Sequence, residues 1–438
     1  MHDPDATAEG GAQATPSPNL PSSPATREPA YASSVPAGST VPPARTTVPP
    51  AGTTVPPSPR RTRRRRWPYV VAALVLGVAL AALIASRISV NWYALTPGNA
   101  TPVSQFIEVP PSDNHPLTGK ILLTDVFVTQ LNALNYFLYQ HVGWLYNQVD
   151  SNSAVIPSSE LLGSTPNEQQ YLDQGYLQMA QAQSYATAAA LSHLGYSVTS
   201  TNAGALVFGI EPNSPAEDVL KVAQVITAVN GTPTPTECAL ITSLHGVAPG
   251  TTVSLTVEES SINDVGTFVG GPTIQKPVTL APPPKGLVDV GCGPPVKPTA
   301  FLGIDPVTQQ DWHFPVKVTV HTQNIGGPSA GLAMTLGIID KLSSGRLTGN
   351  HVVAATGTMD PAGNVGDVGG VAQKTVAVEQ AGATVFFVPP GELKAAQSKA
   401  TPQLHVYPVN NLDQVLRILQ RLGGHVPAAN PAPVQAAP

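Results

Sequence analysis

Three polar side chains lie in settings that could carry acyl transfer. Ser329 sits in Gly326-Gly327-Pro328-Ser329-Ala330-Gly331, where a glycine-rich turn runs into an apolar stretch. Small neighbours let a substrate backbone approach the hydroxyl, and N–H groups at a helix start can stabilise an oxyanion. The candidate oxyanion backbone is Gly326, Gly327 and Pro328. The bland alternative is that Ser329 only caps the helix. Lys374 is the sole lysine between Lys341 and Lys394, with Val371, Ala372, Val376 and Ala377 around it. A lysine among apolar groups loses the hydration of its cationic form, so its pKa falls and its neutral amine can take a proton from a serine. The competing reading is a surface lysine whose stem lies on apolar groups and whose ammonium reaches water. Thr356, at the end of a run that reads as a strand, could orient the lysine. By itself it is an ordinary β-branched strand residue.

The same hexapeptide contains Gly327-x-Ser329-x-Gly331, formally a nucleophile elbow. An α/β-hydrolase-like esterase would then need a downstream histidine, and His351, His405 and His425 are available. Roughly 110 residues follow Ser329 and only a short strand–helix pattern precedes it, a poor fit to a full hydrolase sheet. His313 and His321 read as surface or satisfied histidines.

The elements that must position these groups follow from periodicity and punctuation. Strands are expected at 316–320, 352–356 and 384–388, and helices at 329–342, 373–381 and 412–422. Strands alternating with helices predict an α/β or α+β unit over 299–424. Upstream, 167–194 reads as one long helix. From Gly195 the pattern changes to short strands at 205–210, 225–229 and 252–257. Asn230-Gly231 forms a tight turn, and Ser214 with Pro215 predicts the start of a short helix. The proline-rich stretch 282–298 reads as a linker.

Composition sets the outer bounds. The chain has 438 residues and a net charge of −5, which argues against a general nucleic-acid binder. Residues 1–66 hold 14 of the 47 prolines and eight basic residues against four acidic ones. Paired prolines repeat from Val41, Val48 and Val55 and exclude helix there, which predicts a disordered, extended tail. Six arginines (Arg60, Arg61 and Arg63 to Arg66) precede the uncharged run Trp67 to Ala85. As a helix this run spans roughly 28 Å, close to a bilayer core. The arginines place their flank in the cytoplasm and the rest of the chain outside. A cleaved signal peptide is the alternative, against which the apolar stretch is long.

The stretch NIGGPSAGLAMTLGIID, followed by VVAATGTMDPAGNVGDVGGVAQKTVAVEQAGATVFFVP, resembles the proteolytic domain of Lon-type serine–lysine proteases over about 125 residues. The resemblance implies that Ser329 is the nucleophile, Lys374 the base and Thr356 its support. Many members carry an acidic residue just before the GPSAG turn, where this chain has Gly326. GALVFGIEPNSPAEDVLKVAQVITAVNG resembles a PDZ domain, which binds extended peptides by adding a strand to a sheet edge. That resemblance implies peptide contacts at Gly204, Ala205, Leu206 and Val207. The order of anchor, PDZ and Lon-type domain resembles bacterial membrane-anchored PDZ–Lon-like proteases. No G-x-x-x-x-G-K-[ST] loop occurs, so the resemblance implies an ATP-independent enzyme. Cys238 and Cys292 both fall on the expected outer side, where they could pair as a disulfide or stay as two thiols.

The expected fold is therefore multidomain. It runs as a disordered Pro-rich cytoplasmic tail (1–66), one transmembrane helix (67–86), an extracytoplasmic mixed and helical segment (87–194) and a β-rich PDZ-like domain (195–281). A linker (282–298), an α+β Lon-type proteolytic domain (299–424) and a disordered tail (425–438) follow. The expected function is a membrane-anchored serine endopeptidase acting on unfolded or membrane-proximal polypeptides. No cofactor, metal or nucleic-acid partner is expected, and the family implies a homo-oligomeric ring, a hexamer. The competing functions are a non-catalytic PDZ scaffold and the esterase.

Overall fold

The computed structural model describes residues 66–142, 152–163, 165, 167–263, 266–289, 291–322, 325–343, 345–427 and 435–436. The proline-rich stretch 1–65 and most of the expected C-terminal tail lie outside them. Helix α1 (Trp67–Ala85) contains no charged residue, buries none of its side chains, and is long and apolar enough to cross a membrane. After it come strand β1 (Ser89–Pro102), β2 (Lys120–Asn132), helix α2 (Ala133–His141) and β3 (Ala154–Pro157). The long helix α3 (Glu168–His193) starts where the Asn167 side chain accepts from the Gln170 N–H, satisfying an otherwise orphaned donor.

Then follow β4 (Thr199–Ile210), β5 (Val225–Val229), α4 (Glu237–Leu244), β6 (Thr252–Glu258), β7 (Thr273–Thr279) and β8 (Ile304–His313). The chain closes with a 3₁₀ turn (Pro328–Ala330), α5 (Gly331–Leu342), β9 (Val352–Ala355) and α6 (Val371–Gln380). Last come β10 (Val385–Val388), β11 (His405–Pro408) and α7 (Leu412–Arg421).

Two sheets organise these elements. The first has six strands in the order β11–β10–β9–β2–β1–β3. Strands β2, β9, β10 and β11 run parallel, and β1 is antiparallel to both β2 and β3. Successive strand residues point to opposite faces. Ile121, Leu123, Val353, Ala355, Val385 and Phe387 face a core shared with α3, α5 and α7. Leu122, Ala354, Phe386 and Val388 face a second core closed by α6 through Val371 and Val378. The strands are therefore buried on both faces, which explains their unbroken apolar runs.

This sheet corrects the expected layout. Residues 87–194 are not a separate segment: β1, β2 and β3 supply half of the strands of this sheet, and α3 packs with α5. The local pattern hides this. Strand β1 contains Pro97, Gly98 and Pro102 and is bulged between Pro97 and Ala100, so its alternation is broken. The partner of β2, β9, comes ~230 residues later in the chain. The strand expected at 316–320 shrinks to Thr319–Val320.

The five long strands of the second sheet are antiparallel, in the order β7–β6–β5–β4–β8, over their own core of Ala205, Val207, Ile226, Leu240, Val253, Leu255 and Val257 with their neighbours, and Gln435–Ala436 adds a short parallel pairing at Thr199–Ser200. Strand β8 lies at 304–313, beyond the 282–298 stretch, yet pairs along the whole of β4. Asn230 and Gly231 both have positive φ, as the expected tight turn requires. The short helix expected at Ser214 is instead a run of turns, because the Ser214 hydroxyl donates to the Gly303 carbonyl at 3.2 Å. The 282–298 stretch is tied down. Cys292 is disulfide-bonded to Cys238 on α4, and Asp289 pairs with His245 at 3.1 Å.

Candidate active site

Strand β9 ends at Ala355, and the next residue, Thr356, stands at the carboxyl end of the parallel strands, where sites in such sheets form. Helices from both faces of the sheet converge there. On one face, α5 is entered through the Pro328–Ala330 turn. The Gly357 N–H donates to the Ser329 carbonyl at 2.9 Å and the Gly357 carbonyl accepts from the Leu332 N–H at 3.1 Å, which clamps the turn against the strand end. Gly357 has φ 148°, and a Cβ there would lie 2.6 Å from Val365, so only glycine serves. On the other face, α6 begins after Gly370, whose left-handed φ of 69° turns the chain into the helix. One turn later it presents Lys374.

The three expected residues meet. Lys374 Nζ lies 2.9 Å from Ser329 Oγ and 3.2 Å from Thr356 Oγ1. The Thr356 hydroxyl donates to the Ser329 carbonyl at 3.3 Å. Lys374 is 3 % exposed, so its ammonium does not reach water, and Ser329 makes no helix-capping bond. Both bland readings, the surface lysine and the capping serine, fall on these observations. Burial lowers the Lys374 pKa to about 8, opposed by the negative charges of Asp125 and Glu392.

Asp125 and Glu392 were not singled out from sequence. The first had a signal, a lone acid inside the apolar run Ile121 to Val128. Its carboxylate accepts from the Asn99 N–H at 2.7 Å, and Gly98 leaves room for it, since a Cβ at 98 would collide with the carboxylate. Burial holds Asp125 above its ordinary pKa, as it does Glu392, which is also raised by Asp367. Glu392 lies in a turn and nothing in its local sequence marks it.

The oxyanion expectation needs correcting. Pro328 has no N–H and cannot donate. The Gly327 N–H is engaged, donating to the Gly175 carbonyl of α3 at 2.7 Å. The Ser329 N–H has no backbone acceptor among the described residues. The histidines an esterase would need lie elsewhere. His351 precedes β9 and His405 opens β11, both at the amino ends of the parallel strands, opposite Thr356. His425 donates its N–H to the Arg346 carbonyl at 2.9 Å.

The peptide-contact expectation also needs correcting. Gly204 to Val207 lie in β4, which is paired with β5 on one side and β8 on the other, so no further strand can join there. The exposed edge on this side of the sheet belongs to β8. Between it and α4 lies a cavity of about 420 Å³, lined by Leu240 and Leu244, the run Phe301 to Pro306, and Gln170 and Gln174 of α3.

A serine seated by a glycine turn on a buried lysine defines the class of serine–lysine hydrolase domains. More particularly, residues 299–421 match the Lon protease (S16) C-terminal proteolytic domain, and residues 192–261 match the PDZ domain. The chain thus carries a Lon-type serine protease domain and a PDZ domain. Over 125 residues it is 33% identical to the Lon protease of Chloroflexus aggregans, covering 27% of this chain and 15% of that one. Over 111 residues it is 33% identical to the Lon protease of Roseiflexus castenholzii, covering 24% and 14%. The matched region spans about 15% of the length of these relatives. A solved PDZ domain of an SdrC-like protein from Listeria monocytogenes is 23% identical over 24% of this chain and 88% of its own, with a TM-score of 0.18. The Lon match begins at residue 299, so β1 and β2, which belong to the same sheet, and α3, which packs on it, lie outside it.

Proposed function

We propose that this chain is a membrane-anchored, ATP-independent serine endopeptidase. The observation that carries the reading is the 2.9 Å approach of a buried lysine amine to Ser329 Oγ. In its neutral form Lys374 accepts the Ser329 proton as Oγ attacks a peptide carbonyl. Thr356, hydrogen-bonded to both the amine and the Ser329 backbone, keeps Nζ aimed at Oγ. The tetrahedral oxyanion is stabilised by the Ser329 N–H, which has no backbone acceptor among the described residues. Lys374 returns the proton to the leaving amine, an acyl-enzyme remains, and water releases it by the same proton route. With a pKa of about 8, roughly one lysine in ten is neutral at pH 7, enough to turn over without a histidine.

The substrates are polypeptides, taken unfolded because the chain has no unfolding module of its own in the described residues. The PDZ domain captures extended peptide ends along β8. Helix α1 anchors the chain, with the arginine flank inside and both folded domains outside, a placement supported by the Cys238–Cys292 disulfide. Assembly into a ring remains part of the same proposal by family likeness. The test is cleavage of a fluorophore-labelled unfolded protein by the purified full chain in detergent. Loss of turnover in both Ser329→Ala and Lys374→Ala, with unchanged circular dichroism, supports the dyad. Turnover that survives either change overturns it and returns the chain to the scaffold reading.

A further inference from the structure

One short stretch of α3 touches both clefts. Gly175 accepts the Gly327 N–H through its carbonyl at 2.7 Å, and the nucleophile turn packs so closely that a Cβ at Gly326 would lie 3.3 Å from the Gly175 carbonyl carbon. The residue before it, Gln174, reaches the opposite way, into the groove between α4 and β8, and Gln170 does the same one turn earlier. Their side-chain amides crowd Gly209 on the PDZ sheet, where a Cβ would lie 2.9 Å from Gln174 Nε2 and 3.4 Å from Gln170 Nε2.

We propose that the Gly175 carbonyl is a positioning group that holds the Gly327 N–H off the oxyanion site, and that a peptide lying along β8 releases it by displacing Gln170 and Gln174. The proposal rests on the serine–lysine reading above and adds its regulation. Oxyanion donors act only when aimed at the developing charge. Pro328 offers none, and the Gly327 N–H of the nucleophile turn is spent on a helix carbonyl. A peptide joining the outer edge of β8 must share its groove with the two glutamines. Shifting that helical turn by a few tenths of an ångström lengthens the Gly175–Gly327 bond, since the carbonyl is one residue from Gln174. The two sites are then coupled through a single rigid element that both bias.

The experiment uses the full chain in detergent, a blocked tripeptide thioester too short to reach the groove, and a library of hexapeptides with free C-termini. Release of one oxyanion donor is expected to raise kcat for the thioester at least tenfold when a library peptide is bound, with little change in KM. A groove that only tethers substrate leaves this kcat unchanged. The second measurement is reciprocal. A tripeptide boronate that forms a tetrahedral adduct on Ser329 should tighten binding of the groove peptide by the same factor by which the peptide tightens the boronate. Peptide binding with unchanged kcat and no mutual tightening overturns the proposal, as does a library with no binder. Failure of the dyad reading is distinct: thioester turnover then persists in Ser329→Ala, and the boronate binds that variant as well as it binds the parent.

Discussion

The two clefts of this molecule are built on opposite principles. The serine–lysine site is assembled from buried groups at the junction of a sheet and two helices, and its working amine is cut off from water. The groove on the PDZ sheet is a cavity of about 420 Å³ with an unpaired strand edge and mixed lining. Dryness is what the first requires, because desolvation brings the lysine pKa down to about 8. Backbone exposure is what the second requires, because strand addition depends on unpaired N–H and carbonyl groups. Substitutions should therefore have steep chemical consequences in one cleft and graded affinity consequences in the other.

The largest expected effect is at the dyad. Ser329→Ala and Lys374→Ala should each lower turnover of an unfolded substrate by about three orders of magnitude or more, measured by fluorescence release. Thr356→Val removes one partner of the amine and should cost on the order of tenfold in kcat. In the groove, Leu244→Asp should weaken binding of a C-terminal peptide at least tenfold, read by fluorescence anisotropy, because it puts a charge into an apolar wall.

Subtler tests concern protonation. The rate should climb about tenfold per pH unit below the Lys374 pKa and level off above about 8, since the neutral amine is the active form. Asp125→Asn removes a charge that favours the ammonium, so the midpoint of the rate–pH curve should move to lower pH, by about one unit at most. The smallest effect is on stability. The folded pKa lies below the unfolded value of about 10.4, so the native state gives up the proton first as pH rises. Between about pH 8 and 10.4 the unfolded chain holds more protons and stability rises with pH. Lys374→Met should therefore raise Tm by a few degrees at pH 7, offset in part by the hydroxyls left unpaired, and the gain should shrink toward pH 10.

How much of this was legible in the sequence divides along the same line. Ser329, Lys374 and Thr356 sit in short local patterns, and the helices α3, α5, α6 and α7 follow from apolar spacing. What could not be read depends on partners distant along the chain. Strands β1 and β2 belong to the catalytic sheet only because β9 pairs with β2. Strand β8 belongs to the PDZ sheet only because it pairs with β4, and this moved the open edge away from Gly204 to Val207. Asp125 gains its meaning from a helix that begins at Val371. Gly175 is the instructive case. A lone glycine within a helix costs about 1 kcal/mol relative to alanine, and nothing in its own segment shows that its carbonyl accepts the Gly327 N–H of a turn about 150 residues later.

The interleaving of the two sheets has a consequence for how the molecule is made. Strand β2 emerges early but cannot satisfy its outer edge until β9 arrives, with the whole PDZ sheet produced in between. Closing so distant a pairing is slow, and an unpaired apolar strand invites association with other chains while it waits. The intervening sheet has its own core and can form first, drawing the two halves of the catalytic layer toward each other. Biogenesis should therefore proceed from the inside outward, with the hydrolytic centre completed last.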